Sequence, residues 1–119
     1  MNPVIISPGR TSLKTWCDVY RNAPIILPTD WNACVTNSSN AVARILGKDV
    51  AIYGINTGFG KLASTRIAND DLITLQRNLV LSHAAGVGES TPKAIVRLMM
   101  ALKLESLAQG ASGVRPQLI

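Results

Sequence analysis

The stretch TPKAIVRLMMALKLESLAQG, residues 91–110, decides the fold. Ser90 or Thr91 offers a cap, Pro92 suits the first helical position, and Gly110 stops the helix after about Ala108. Apolar residues cover nearly the whole circumference, which predicts burial from several sides. Arg97, Lys103 and Glu105 interrupt the apolar run, so it is not a membrane-spanning segment.

The pattern upstream is also helical. Asn69 is predicted to cap a helix over residues 70–84, with Asp70 and Asp71 at the positive end of its dipole. Leu72, Leu75 and Leu79 form an inner stripe that His83 continues, and Gly86 and Gly88 end it. Asp30 is predicted to cap a helix that ends near Gly47, with Cys34, Val35, Val42, Ile45 and Leu46 as its stripe. Thr11 or Ser12 caps a short helix to about Arg21, with Leu13, Trp16, Cys17 and Tyr20 at helical spacing. Residues 24–28 are an apolar run between two prolines and read as an edge strand or an extended piece. Residues 50–53 read as a second short strand. The expectation is a mainly α chain with one or two short strands. Residues 1–119 would form one domain or part of one, with the architecture unfinished at Ile119.

Composition narrows the function classes. The chain is 47% hydrophobic and 16% charged, against about a quarter charged in a typical domain. The excess predicts apolar faces meant for more chain or for partner subunits. The net charge is +5, but the twelve Lys and Arg are scattered from Arg10 to Arg115 with no two adjacent. No basic run tracks a phosphate backbone, so nucleic acid is not the expected partner. Cys17, Cys34 and the single His83 are too few for a metal-ligand cluster, and no metal is expected. The first residues show no apolar signal-peptide core, and the expected location is the cytoplasm.

Residues 54–60 hold three glycines in seven positions, the mark of a loop with unusual dihedrals or close backbone approach. The loop fails as a phosphate-binding P-loop, because Gly60-Lys61 is followed by Leu62. It also fails as a dinucleotide fingerprint. Gly58, Gly60 and Ala63 have the spacing, but residues 78–83 supply no acidic partner. Tyr53 stands at the loop's edge. It is either a turn anchor or an acid/base group, and a phenolate base needs positive charge or donors nearby. His83 is either a satisfied core histidine or the rim of a pocket.

Three segments taken together resemble a known family. They are YGINTGFG (residues 53–60), LQRNLVLSHAAGVG (75–88) and LAQGASGVR (107–115). Their order and spacing are similar to the N-terminal region of the aromatic amino acid ammonia-lyases, over about the first quarter of a member. The Ser82-His83 pair followed by Gly86-Val87-Gly88 is most similar to the histidine-specific branch, which eliminates ammonia from L-histidine to give urocanate. The tyrosine and phenylalanine lyases or aminomutases are the nearest alternative, and a non-catalytic helical interaction module is a second.

The resemblance implies a largely helical fold, homotetramers, and active sites that take residues from several subunits. It implies a methylidene-imidazolone (MIO) electrophile made by cyclisation of the family's own Ala-Ser-Gly. It also implies that Tyr53 takes the β-proton, that Gly60 lies against the active site, and that His83 lines the substrate pocket. Ala111-Ser112-Gly113 is not expected to be the cyclising tripeptide. In the family that tripeptide is followed by Asp and Leu, whereas Val114-Arg115 follows here. The cyclising residues are expected beyond Ile119, so this chain alone is expected to be inactive.

Overall fold

The computed structural model describes residues 1–48 and 50–119. In chain order the elements are β1 (Val4–Ile5), α1 (Leu13–Tyr20), β2 (Ile25–Ile26), α2 (Trp31–Leu46), α3 (Leu72–His83) and α4 (Lys93–Ala108). Single 3-10 turns lie at Gly60–Leu62, Asn69–Asp71 and Pro116–Leu118. The chain is mainly helical, as expected. It divides into two compact units. One comprises Met1–Ala41 with Ser90–Ile119, and the other comprises Val42–Glu89.

In the first unit, β1 and β2 pair in parallel, with Val4 opposite Ile25 and Ile5 opposite Ile26. Parallel strands need a crossover, and α1 supplies it. Ser12 caps α1, its hydroxyl accepting the Thr15 amide at 3.2 Å. The core joins Ile6, Val19 and Ala101, with Val4, Trp16, Ile25, Leu27 and Leu98 packed against it. Arg97 ties α4 to the chain after α1 by donating from Nη2 to the Ala23 carbonyl at 2.8 Å. Gly110 has φ +73, and a Cβ there would lie 2.6 Å from the Cys34 carbonyl carbon. The helix stop is therefore a glycine for two reasons: its dihedral and its close approach to α2.

Several sequence expectations need correction. The inward face of α1 is Trp16 and Val19, while Leu13 is 79% exposed and Cys17 and Tyr20 are also exposed. The stripe predicted for α1 was rotated outward, and Leu13, Trp16, Cys17 and Tyr20 line a shallow surface with Leu98. On α2, Val35 is buried and Val42, Ile45 and Leu46 are half-buried as expected, but Cys34 is exposed. Pro92, not Ser90 or Thr91, holds the N-cap position of α4, and its carbonyl accepts the Ile95 and Val96 amides. A proline has no N–H of its own to satisfy, so it ends the incoming chain cleanly there. Asn69 caps nothing, because the first turn tightens to a 3-10 turn preceded by Ala68, and α3 starts at Leu72.

Residues 50–53 form no strand. The Asn56 side chain takes the Val50 carbonyl and the Ile52 amide, two groups that a strand would offer to a neighbour. β1, by contrast, was not anticipated. The expected burial of α4 on several sides holds only in part. Ala101, Leu107 and Ala108 are buried, but Met99 and Met100 are 62% and 64% exposed.

Candidate functional site

The candidate site lies within the second unit and is built on a turn. Ile55 and Asn56 both donate their amides to the Ile52 carbonyl, at 3.1 and 3.2 Å, and Gly54 takes φ +78 to close the loop. Asn56 is fully buried. Its Oδ1 accepts the Ile52 amide at 2.7 Å, and its Nδ2 donates to the Val50 carbonyl at 2.9 Å. The Ile67 amide donates to the Asn56 carbonyl at 2.8 Å, and Thr57 forms an antiparallel bridge with Arg66. Thr57 is also buried and donates its hydroxyl to the Gly58 carbonyl.

This polar knot presents two side chains of the candidate site, Tyr53 and Phe59. Tyr53 projects from the turn, 63% exposed. Its ring meets Phe59 edge-on, with centroids 5.6 Å apart and planes at 65°. Phe59 in turn lines a shallow apolar depression with Leu79, Val80 and His83. The structure thus gathers Tyr53 and His83 around one aromatic ring, and Gly60 follows that ring directly. Gly60 takes φ +59 and opens the 3-10 turn Gly60–Leu62, and a Cβ on it would meet open space.

His83 ends α3 and is exposed, so it is not a core histidine. Leu72, Leu75 and Leu79 are the half-buried face of that helix, and His83 extends the row past the cover they have. Its Nδ1 lies 2.8 Å from the Leu79 carbonyl and 3.0 Å from the Ser82 hydroxyl. A carbonyl only accepts, so Nδ1 carries the proton and donates to it. In the neutral ring Nε2 is then an acceptor, and it has no partner among the described residues. A histidine held this way presents one defined nitrogen outward.

Ala111-Ser112-Gly113 lies in the first unit, after the helix stop. The Gly113 amide donates to the Ser38 hydroxyl of α2 at 2.9 Å, and Gly113 has φ +65. Among the described residues no group of three or more His, Cys, Asp or Glu could hold a metal ion. No helix of the described residues is long and apolar enough to cross a membrane.

Asn56 and Phe59 were not singled out from the sequence. The available signal was a polar residue inside the glycine loop and the chain's only phenylalanine in the same loop.

The sequence profile of the family described as aromatic amino acid lyase matches residues 11–119. The fold is similar to that of tyrosine aminomutase from Streptomyces globisporus, with TM-score 0.88 and 30% identity, covering 98% of this chain and 22% of that one. A ligand-bound mutant of a tyrosine aminomutase matches equally, with TM-score 0.88 and 29% identity, again over 98% of this chain and 22% of the other. Ergothionase from Treponema denticola shares the fold with TM-score 0.89 at 24% identity, covering 98% of this chain and 24% of its own. The chain thus spans between a fifth and a quarter of the length of these proteins.

Proposed function

Because this chain belongs to the aromatic amino acid lyase family, we propose that it is the N-terminal part of a histidine ammonia-lyase, which eliminates ammonia from L-histidine to give urocanate. The observation that carries this reading is the cluster of Tyr53, Phe59 and His83 on one unit. The β-proton of an amino acid is weakly acidic, so elimination needs a base held at that carbon and an activated amine. Tyr53 is the base in this reading, since its phenol projects from a fixed turn. His83 offers Nε2 to a polar group on the substrate, and an imidazole side chain has such a group. Phe59, Leu79 and Val80 give the apolar wall against which a flat ring can lie.

The family's MIO group supplies an electrophile that activates the amine. In this reading Ala111-Ser112-Gly113 is not the tripeptide that forms it, because Val114-Arg115 follows it where the family has Asp and Leu. Closing a five-membered ring in that tripeptide requires the Gly113 nitrogen to bond the Ala111 carbonyl carbon. In this chain that nitrogen donates its hydrogen to Ser38 Oγ of α2. The electrophile in this reading is formed by residues beyond 119, and the tetramer is completed by the same longer polypeptide. The exposed Met99 and Met100 of α4 support such further packing.

The similarity to tyrosine aminomutases at 29% and 30% identity favours a second reading. The same base would act on tyrosine, and the amine would return at the neighbouring carbon. One experiment separates the two: ammonia and β-amino acid are measured for the full-length protein given histidine, tyrosine and phenylalanine separately. Ammonia from histidine alone is the expected result. β-Tyrosine from tyrosine would replace this reading with the aminomutase. The 119-residue chain by itself is expected to release no ammonia from any of the three.

A further inference from the structure

We infer that Asn56 is the positioning residue that aims Tyr53, an inference that rests on Tyr53 being the base. Tyr53 has little of its own to hold it. Its side chain is mostly exposed, its hydroxyl has no hydrogen bond among the described residues, and its ring touches Phe59 at one edge. The direction of its Cα–Cβ bond is therefore set by the backbone of the Ile52–Asn56 turn.

Every polar group of Asn56 is engaged, and its amide and Oδ1 act on that turn. Its amide and its Oδ1 engage the two sides of Ile52, accounting for both the carbonyl and the N–H of the residue before Tyr53. Its Nδ2 reaches back to the Val50 carbonyl, and its own carbonyl holds Ile67. The partners fix the orientation of the side-chain amide, because Oδ1 meets a donor and Nδ2 meets an acceptor. The other buried polar side chain of the loop, Thr57, bonds only to the adjacent Gly58 and does not reach the residues beside Tyr53. Burial of Asn56 keeps water from competing for these bonds, so they specify one geometry.

Asn56→Asp tests the inference with almost no change of shape. It keeps the acceptor for Ile52 but places a second acceptor against the Val50 carbonyl. In the full-length protein, Asn56→Asp is expected to lower kcat roughly 10- to 100-fold, the scale on which a displaced reacting group acts. KM should stay within about threefold. In a Tyr53→Phe background the same substitution should lower kcat no further, since there is no phenol left to aim. If Asn56→Asp slows both backgrounds by the same factor, Asn56 only supports the fold and the inference is overturned, while Tyr53 stays the base. If Tyr53→Phe by itself leaves kcat unchanged, the base reading falls and the inference falls with it. Should Asn56→Asp not fold, Asn56→Ser, whose hydroxyl both donates and accepts, serves in the same comparison.

Discussion

The two units close their interiors with opposite chemistry. In the unit of residues 1–41 and 90–119 the closed positions are apolar: Ile6, Val19, Ala23, Val35, Ala101, Leu107 and Ala108. In the unit of residues 42–89 the buried described residues are Asn56, Thr57 and Gly58. Apolar burial is strong but has no direction. Hydrogen bonds are directional but contribute about 0.5–1.5 kcal/mol each in net stability. The first unit's interior thus rests on apolar burial, and the second's most buried positions on directional bonds. It is the second that carries Tyr53, Gly60 and His83. Under the proposed base role of Tyr53, a phenol held at a fixed angle benefits from directional bonds more than from bulk packing.

The largest test of this contrast is Tyr53→Phe in the full-length protein. It removes one exposed hydroxyl with no internal partner, so the melting temperature should hardly move. If Tyr53 is the base, kcat should fall about 10²- to 10⁴-fold with a smaller change in KM. Unchanged turnover would remove the functional side of the contrast altogether.

The same contrast explains what the sequence made legible. The helices were legible because their ends are chemical. Ser12 caps α1, Gly47 follows α2, and Gly110 ends α4 with a positive φ. β1 was not, because Val4–Ile5 is too short for alternation, and its pairing with Ile25–Ile26 depends on α1 folding back. Residues 50–53 misled for a related reason: their β-branched character was overridden by one asparagine side chain three residues beyond them. Tyr53, Gly60 and His83 were singled out through motif resemblance, and Tyr53 and His83 share Phe59 as a neighbour. Asn56 stood out only as a polar residue in the glycine loop, because its bonds to Ile52 and Val50 are visible only once the turn exists. The outward faces of α1 and α4 also misled, since helical spacing identifies an apolar stripe but not which part of it this chain covers.

Ile6→Ala probes the other unit. Ile6 is fully buried at the centre of the core with Val19 and Ala101. Truncation should destabilise the protein by about 2–5 kcal/mol. That is a clear drop in denaturation midpoint, read by chemical unfolding of the purified protein. At temperatures where the variant remains folded, kcat should stay within about twofold, because Ile6 and the Tyr53 turn belong to different units. A loss of kcat as large as that of Tyr53→Phe would show that the site depends on the apolar core, and the division of labour would dissolve.

The smallest expected effect belongs to Ser112→Ala. Ala111-Ser112-Gly113 has the composition of a cyclising tripeptide, and its serine is the residue such a cyclisation would dehydrate. Its surroundings argue otherwise. Gly110 lies close against the backbone of Cys34, and the Gly113 amide is held by Ser38, so the segment runs along α2. Ser112 itself is exposed. In the proposed reading the tripeptide is only the loop that follows the stop of α4 in the first unit. The full-length Ser112→Ala protein should therefore keep kcat within about twofold and lose less than about 0.5 kcal/mol of stability, the usual range for an exposed substitution. Turnover assays and the near-ultraviolet spectrum check this together. Loss of both activity and the absorbance of the cyclised group would move the electrophile into the first unit, and the chemistry would then be shared between the two.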